Sequence, residues 1–353
     1  MRSFKRRFIQ CLCALLVFVG VVSCFSILLL KVDGTTFLTM YDYEREEQQI
    51  DLLFVGNSLC RSDINPYIID ENLGVNSFNL SKESVKLEGL RYLLQSQLPK
   101  KKIDKVVLVI DPVQLIEPEE DTVVLAALVP YIRNPFNMLQ YSFDTTIKYG
   151  SFLDRFFPWR MFYEDHPGKM IDNLKYKLSK EYCYEEKLRL YNTSGEGSYD
   201  GKGYGNHNIK IDETSIQLAK QEHIEITVDG NAFTQFKGKF NAIIEVCRNN
   251  GCEIIVIVPP HMRDIVINNP NYKISFEMIQ SACDEIGIDC LNFCFAREEF
   301  LPQELESDYY DAKCHLNGTG ADMFSEFLSI VLLDYYAGHG VEKYFYSLTE
   351  YYN

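Results

Sequence analysis

The 353-residue chain is 46% apolar and contains 23 Tyr and 23 Phe, which is enough to bury a large core and excludes bulk disorder. Fifty acidic residues stand against 35 basic ones. Five of the basic residues lie within positions 1–31, so the remainder carries a formal charge of about −20; such a surface repels nucleic acid, whose binding depends on phosphate neutralisation by Lys and Arg.

The first element is a run from Phe8 to Leu30 with no charged residue, preceded by Arg2, Lys5, Arg6 and Arg7 and closed by Lys31. About 20 apolar residues cross a bilayer as a helix, so a single transmembrane helix is expected over 8–30. The basic tip, 1–7, would stay in the cytoplasm and the rest would be exported. The run is long for a cleaved signal peptide, and no small-x-small site follows it. Val21-Val22-Ser23-Cys24 resembles a lipoprotein box, with Cys24 as the lipidated residue, but Phe25–Leu30 stays apolar where such a protein turns polar. Residues 31–49, which include Tyr41-Asp-Tyr-Glu-Arg-Glu-Glu47, read as a polar juxtamembrane linker.

Five short apolar runs follow: Ile50–Val55, Val75–Leu80, Lys105–Ile110, Glu253–Val258 and Ile288–Phe293. Unbroken Val/Ile/Leu runs of this length suit parallel strands covered on both faces. Helical spacing appears between them over 84–98, 233–249 and 276–286, and again over 320–335. This alternation predicts an α/β domain over 50–336: a doubly wound, flavodoxin-like, mostly parallel five-stranded sheet in three α/β/α layers. Residues 113–231 interrupt it as a long insertion, read as a cap beside the site, and 337–353 form a tail.

Open α/β sheets bind ligands at the carboxyl ends of their strands. The strand exits are Gly56-Asn57-Ser58, Ser81-Lys82-Glu83, Asp111-Pro112 and Pro259-Pro260-His261. A serine held at such an exit becomes a nucleophile when a distant histidine takes its proton. Just before the last helix the chain supplies Tyr310-Asp311-Ala-Lys-Cys-His315-Leu-Asn317.

These blocks resemble the SGNH (GDSL-like) hydrolase superfamily, and the resemblance covers most of 50–336. Gly56-Asn57-Ser58 with Ser62-Asp-Ile-Asn65-Pro66 is similar to the first family block of cell-envelope relatives. Asp311 to His315, followed by Leu-Asn317-Gly-Thr-Gly320, is similar to the last. The resemblance implies Ser58 as nucleophile, His315 as general base and Asp311 as its orienting partner. Three residues separate Asp311 from His315, where the family pattern has two. The second-block glycine is not found in Phe78-Asn79-Leu80-Ser81, and no Gly-x-Asn-Asp follows the third strand. Asn57, Asn79, Ser81 and His261 are left as candidates for oxyanion or substrate contacts.

The layout is similar to exported proteins of exopolysaccharide O-acetylation and teichoic acid D-alanyl transfer. It implies a serine-dependent ester hydrolase or acyltransferase on the bacterial cell membrane, acting on an acyl, chiefly O-acetyl, group of an envelope glycan. A membrane acyltransferase is the partner expected for transfer. An inactive SGNH-type fold used as a binding or scaffolding subunit is the alternative reading. No metal or organic cofactor is expected, because the eight cysteines beyond residue 31 show no Cys-x-x-Cys or Cys/His spacing. Gly201-Lys-Gly203-Tyr-Gly205 reads as a loop, and His166, His207, His223 and His339 as scattered residues without a site. Trp159 with Phe156 and Phe157 reads as core packing of the cap.

Overall fold

The five apolar runs pair as one parallel sheet. Its strands are β1 (Ile50–Gly56), β2 (Ser77–Ser81), β3 (Ile103–Val109), β6 (Glu253–Val258) and β7 (Cys290–Asn292), in the order β2-β1-β3-β6-β7. A separate antiparallel hairpin is formed by β4 (Gly197–Gly201) and β5 (Tyr204–His207). The chain steps outward from β1 to β2 on one side and from β3 to β6 and β7 on the other. The β1/β3 boundary is therefore the topological switch point, where a ligand crevice is expected.

This computed structural model describes residues 2–29, 34–112, 167–180, 197–221, 230–302 and 308–352, with isolated positions between 115 and 141. The helices are α1 (Arg2–Leu29), α2 (Gly34–Arg45), α3 (Ser58–Asp63), α4 (Pro66–Leu73), α5 (Leu87–Gln97), α6 (Pro167–Lys177), α7 (Glu213–Gln221), α8 (Gly230–Asn249), α9 (Arg263–Asn268), α10 (Pro270–Ile286), α11 (Gly318–Tyr336) and α12 (Leu348–Tyr352). Two compact units divide the chain: Met1–Asp33 with Asp121–Leu188, and Gly34–Glu120 with Arg189–Asn353. In the first unit α1 and α6 lie against each other.

In the second unit, alternate strand residues face opposite ways. Leu52, Phe54, Val107, Val109, Ile255 and Ile257 share one buried cluster with Phe324, Leu328, Val331 and Leu332 of α11. Phe293 anchors that layer, with ring centroids 5.0 Å from Phe324 and 5.8 Å from Phe327. Each such fully buried side chain contributes about 1.5–3 kcal/mol. The other face presents buried Leu53, Val55, Val106, Leu108 and Val256, and on that side α8 packs on both β6 and α5.

Local sequence sets the helix ends near the site. Asn65 and Asn269 cap α4 and α10 ahead of Pro66 and Pro270, and Gly74 and Gly287 end those helices in the left-handed conformation at φ 66° and 65°. Asn317 caps α11 by accepting the Gly320 N–H at 3.1 Å.

Three expectations change. The segment 31–49, read as a linker, contains α2, whose Leu38, Met40 and Tyr43 are buried and which packs on β2 and β4. Its exposed Glu44 and Arg45, and Asp42, which accepts the Tyr199 hydroxyl at 2.8 Å, mask that apolar face in the sequence. The tail 337–353 is also packed: Phe345 pairs with Ala296 across an antiparallel bridge, and Tyr344 and Tyr351 are buried. The Gly201–Gly205 segment is a hairpin turn rather than an open loop. Residues 8–29 do lie in a single helix, α1, with Phe8, Leu12, Leu15 and Phe18 exposed, and Leu30 lies outside the described residues. Among the described residues, however, no helix is long and apolar enough to cross a membrane. Trp159, Phe156, Phe157, Cys183, His166 and His223 lie outside the described residues.

Candidate active site

Ser58 opens α3 directly after β1. Gly56 makes that turn tight: a Cβ there would lie 2.8 Å from Cys60 Cβ and 2.9 Å from Val109 Cβ, so only glycine lets β1 end against β3 and α3 together. Asn57 caps α3, its Oδ1 accepting the Leu59 N–H at 3.0 Å.

The last block meets this turn across the strand ends. Tyr309 pairs with Leu316, and the Tyr310 N–H donates to the His315 carbonyl at 3.1 Å, which closes residues 310–315 into a small loop. Cys314 sits at φ 65°; this left-handed residue takes up the extra position between Asp311 and His315. The chain just after this loop and the helix that follows, α11, are each tied to the first block. The Leu316 N–H donates to Asp63 Oδ1 at 2.9 Å, and the Asn65 N–H donates to Ser325 Oγ at 2.7 Å.

Three side chains then line up. The Ser58 hydroxyl lies 2.8 Å from His315 Nε2. His315 Nδ1 lies 2.8 Å from Asp311 Oδ2 and 3.0 Å from Oδ1. Asp311 Oδ1 also accepts the N–H groups of Lys313 at 2.9 Å and His315 at 3.3 Å. A carboxylate can only accept, so Nδ1 carries the ring proton and Nε2 is left as the acceptor for the serine hydroxyl. Burial pushes the Asp311 carboxyl up, but the hydrogen bond and charge of His315 outweigh it and hold the group below its ordinary value.

The other expected contacts fall differently. Asn57 donates its Nδ2 to Asp111 Oδ2 at 3.1 Å. Asn79 is fully buried, and its Nδ2 donates to the carbonyls of Cys60 at 3.2 Å and Ile64 at 2.7 Å, tying down α3. Both amides are thus committed to protein groups. Ser81 stands opposite Gly56 in the β1/β2 register, with a buried hydroxyl that has no hydrogen-bond partner among the described residues. His261 is neither a surface residue nor a lining one: it is 1% exposed and turned towards the Pro259 carbonyl at 3.0 Å.

Two further side chains, not among the site residues expected from sequence, lie beside the triad. His207, at the end of β5, stacks on Tyr310 with ring centroids 4.2 Å apart, and Tyr310 stacks on His315 at 5.3 Å. Burial, then the charges of Arg61 and His315, lower the His207 pKa. Arg61, one turn after Ser58, is 7% exposed, pairs with Glu83 and lies flat against Gly205 of the hairpin. A Ser-x-x-Arg spacing on a short helix points to one shared face. Nothing local marks His207, because the hairpin carries it there from 149 residues downstream of Ser58. Among the described residues no group of His, Cys, Asp and Glu is arranged to hold a metal ion. No protein-family model matches the chain, and no curated protein matches it.

Proposed function

We propose that the chain is a serine-dependent ester hydrolase or acyltransferase of the SGNH type. The observation that carries this reading is the continuous Ser58–His315–Asp311 hydrogen-bonded line at the switch point of the sheet. Ser58 Oγ attacks the ester carbonyl carbon as its proton passes to His315 Nε2, and Asp311 stabilises the resulting imidazolium. The leaving alkoxide takes that proton, and an acyl group remains on Ser58. Water completes hydrolysis, or a second alcohol completes transfer, by giving its proton to Nε2 as it attacks the acyl carbon; the acyl–Ser58 bond then breaks and Ser58 Oγ takes that proton back. The Ser58 N–H, at the first turn of α3, is the donor best suited to the oxyanion, since Asn57 and Asn79 are engaged elsewhere and the Ser81 hydroxyl is buried.

The substrate class proposed is an O-acylated, chiefly O-acetylated, glycan of the cell envelope, with a membrane acyltransferase as partner where transfer is the reaction. The uncharged run Phe8–Leu30 behind a basic tip supports anchoring at the membrane with the α/β domain outside. The alternative, an inactive binding subunit, draws on one observation: both side-chain amides expected at the oxyanion are bonded to protein groups. The full chain, purified in detergent, is tested with p-nitrophenyl acetate and a fluorophosphonate probe, alongside Ser58→Ala and His315→Ala. Turnover and labelling are expected in the wild type and in neither variant. A well-folded wild type that neither turns over nor labels overturns the enzyme reading.

A further inference from the structure

A second Asp–His pair lies behind the nucleophile. Asp111 follows β3 and His261 follows β6, so both sit at the carboxyl edge of the sheet beside the Ser58 turn. Asp111 Oδ2 accepts from Asn57 Nδ2 at 3.1 Å, and Asp111 Oδ1 lies 3.8 Å from His261 Nε2, an ion-pair contact rather than a hydrogen bond. The other ring nitrogen, Nδ1, lies 3.0 Å from the Pro259 carbonyl and 3.5 Å from Cys294 Sγ.

Proton counting constrains this pair. A carbonyl only accepts, so Nδ1 carries a proton and donates it to Pro259. A neutral ring would then turn the bare Nε2 lone pair towards a carboxylate. The contact is attractive only with one further proton, held by the pair as imidazolium and carboxylate. The groups facing His261 from its neighbouring elements are Asp111, Asp63, Cys294, Cys314, Tyr272 and Tyr351. Burial disfavours the cation, yet the neighbouring Cys294 and Asp111 side chains raise this imidazole above its ordinary value.

We infer that Asp111 and His261 are positioning residues for Ser58: the pair holds one proton, which fixes Asp111 between the β3 and β6 exits. Asp111 in turn holds Asn57, which caps the helix that Ser58 opens. Loss of that proton at alkaline pH frees Asp111 from His261 and loosens the turn. The inference rests on the reading of Ser58 and His315 as a working pair, and it adds a control on that pair from the opposite side of the serine.

The experiment measures fluorophosphonate labelling of the detergent-purified full chain against pH, together with kcat and KM for p-nitrophenyl acetate. Wild type, Asp111→Ala, Asp111→Asn and His261→Gln are compared, with thermal melts to verify folding. Asp111→Ala is expected to lower kcat by about 10–100-fold while KM moves less than about threefold, the cost of a displaced nucleophile. Asp111→Asn keeps an acceptor for Asn57 and is expected to recover much of that loss. His261→Gln offers Asp111 a donor that does not titrate, so the alkaline fall in labelling should disappear. An independent readout is the ¹⁵N-histidine spectrum, in which one ring protonated at both nitrogens at pH 8 should vanish in His261→Gln. An unlabelled wild type sinks the parent reading of Ser58 as nucleophile. A labelled wild type whose alkaline limb survives in His261→Gln, or whose Asp111→Ala variant labels within twofold, sinks this inference alone.

Discussion

The phenol ring of Tyr310 lies nearly parallel to the imidazole of His315, with 15° between the planes and 5.3 Å between the centroids. His207 stacks on the same phenol, at 4.2 Å. The hydrogen bonds to Asp311 and Ser58 fix the two nitrogens of His315 but leave the ring's tilt to its packing. Ring contacts of this kind contribute about 0.5–1.5 kcal/mol beyond buried area. Tyr310→Phe is therefore expected to keep the labelling rate within about threefold, and Tyr310→Ala to lower it by about tenfold. Second-order labelling rates on the two variants decide the point; equal rates would show that the ring only fills space.

Asp311→Asn is predicted to be far more damaging than its size suggests. The N–H groups of Lys313 and His315 both point at Oδ1, so the amide oxygen must stay there and the NH₂ must replace Oδ2. That NH₂ would donate to His315 Nδ1 and force the ring proton onto Nε2, which then cannot accept from Ser58. Turnover should fall by about 10³–10⁴-fold with little change in melting temperature. A loss below tenfold would mean that the ring keeps its tautomer without Asp311.

The sheet was legible in the sequence because buried parallel strands must be continuous apolar runs, and Ile50–Val55 and Glu253–Val258 admit little else. Ser58 and His315 were legible for a related reason: one leaves a strand and the other precedes a helix capped by Asn317. What sequence could not give was the hairpin that closes the site. Gly197–His207 has four glycines and no apolar alternation, so its strand pairing is imposed by tertiary contact. The Asn79 N–H donates to the Lys202 carbonyl at 2.9 Å, and the Lys202 side chain pairs with Asp70. His207 and Arg61 meet only because of that docking, and no local spacing encodes it. The Asn57 and Asn79 side chains were legible as polar groups near the serine, but their direction depends on partners, Asp111 and the end of α3, that are distant in the sequence.

That docking is open to a direct comparison of two glycines. Gly203 and Gly338 have almost the same left-handed backbone, at φ 77° and 73°. A Cβ on Gly338 meets nothing within 4 Å, whereas one on Gly203 would overlap the Asn79 carbonyl oxygen and lie 2.9 Å from its carbon. Gly338→Ala should cost only the conformational penalty of about 1–2 kcal/mol. Gly203→Ala adds a clash with the backbone of a fully buried strand and should cost visibly more, about 3–4 kcal/mol or beyond. Chemical denaturation of both variants checks the ranking, and equal losses would mean that the hairpin is not seated on β2.

The last prediction concerns Asp63, which holds the His315 loop through the Leu316 N–H at 2.9 Å. The residue is 0% exposed, and its Oδ2 has no hydrogen-bond partner among the described residues. Burial pushes its carboxyl well above the ordinary value, against the lowering effects of the Leu316 N–H and His261, while the charges of Asp311 and Asp111 push it up further. The folded state therefore keeps a proton that the unfolded chain releases near the ordinary aspartate value of 3.8. With the folded pKa raised, the contribution to stability is complete below that value and is lost as pH rises through the folded pKa. Asp63→Asn keeps the acceptor for Leu316 but cannot ionise, so it should flatten this part of the stability–pH curve. Relative to wild type, the variant should gain stability steadily from acid towards neutral pH in denaturant titrations. A difference between the two proteins that stays constant across that range would show that Asp63 is charged in the fold, with a partner yet to be found for Oδ2.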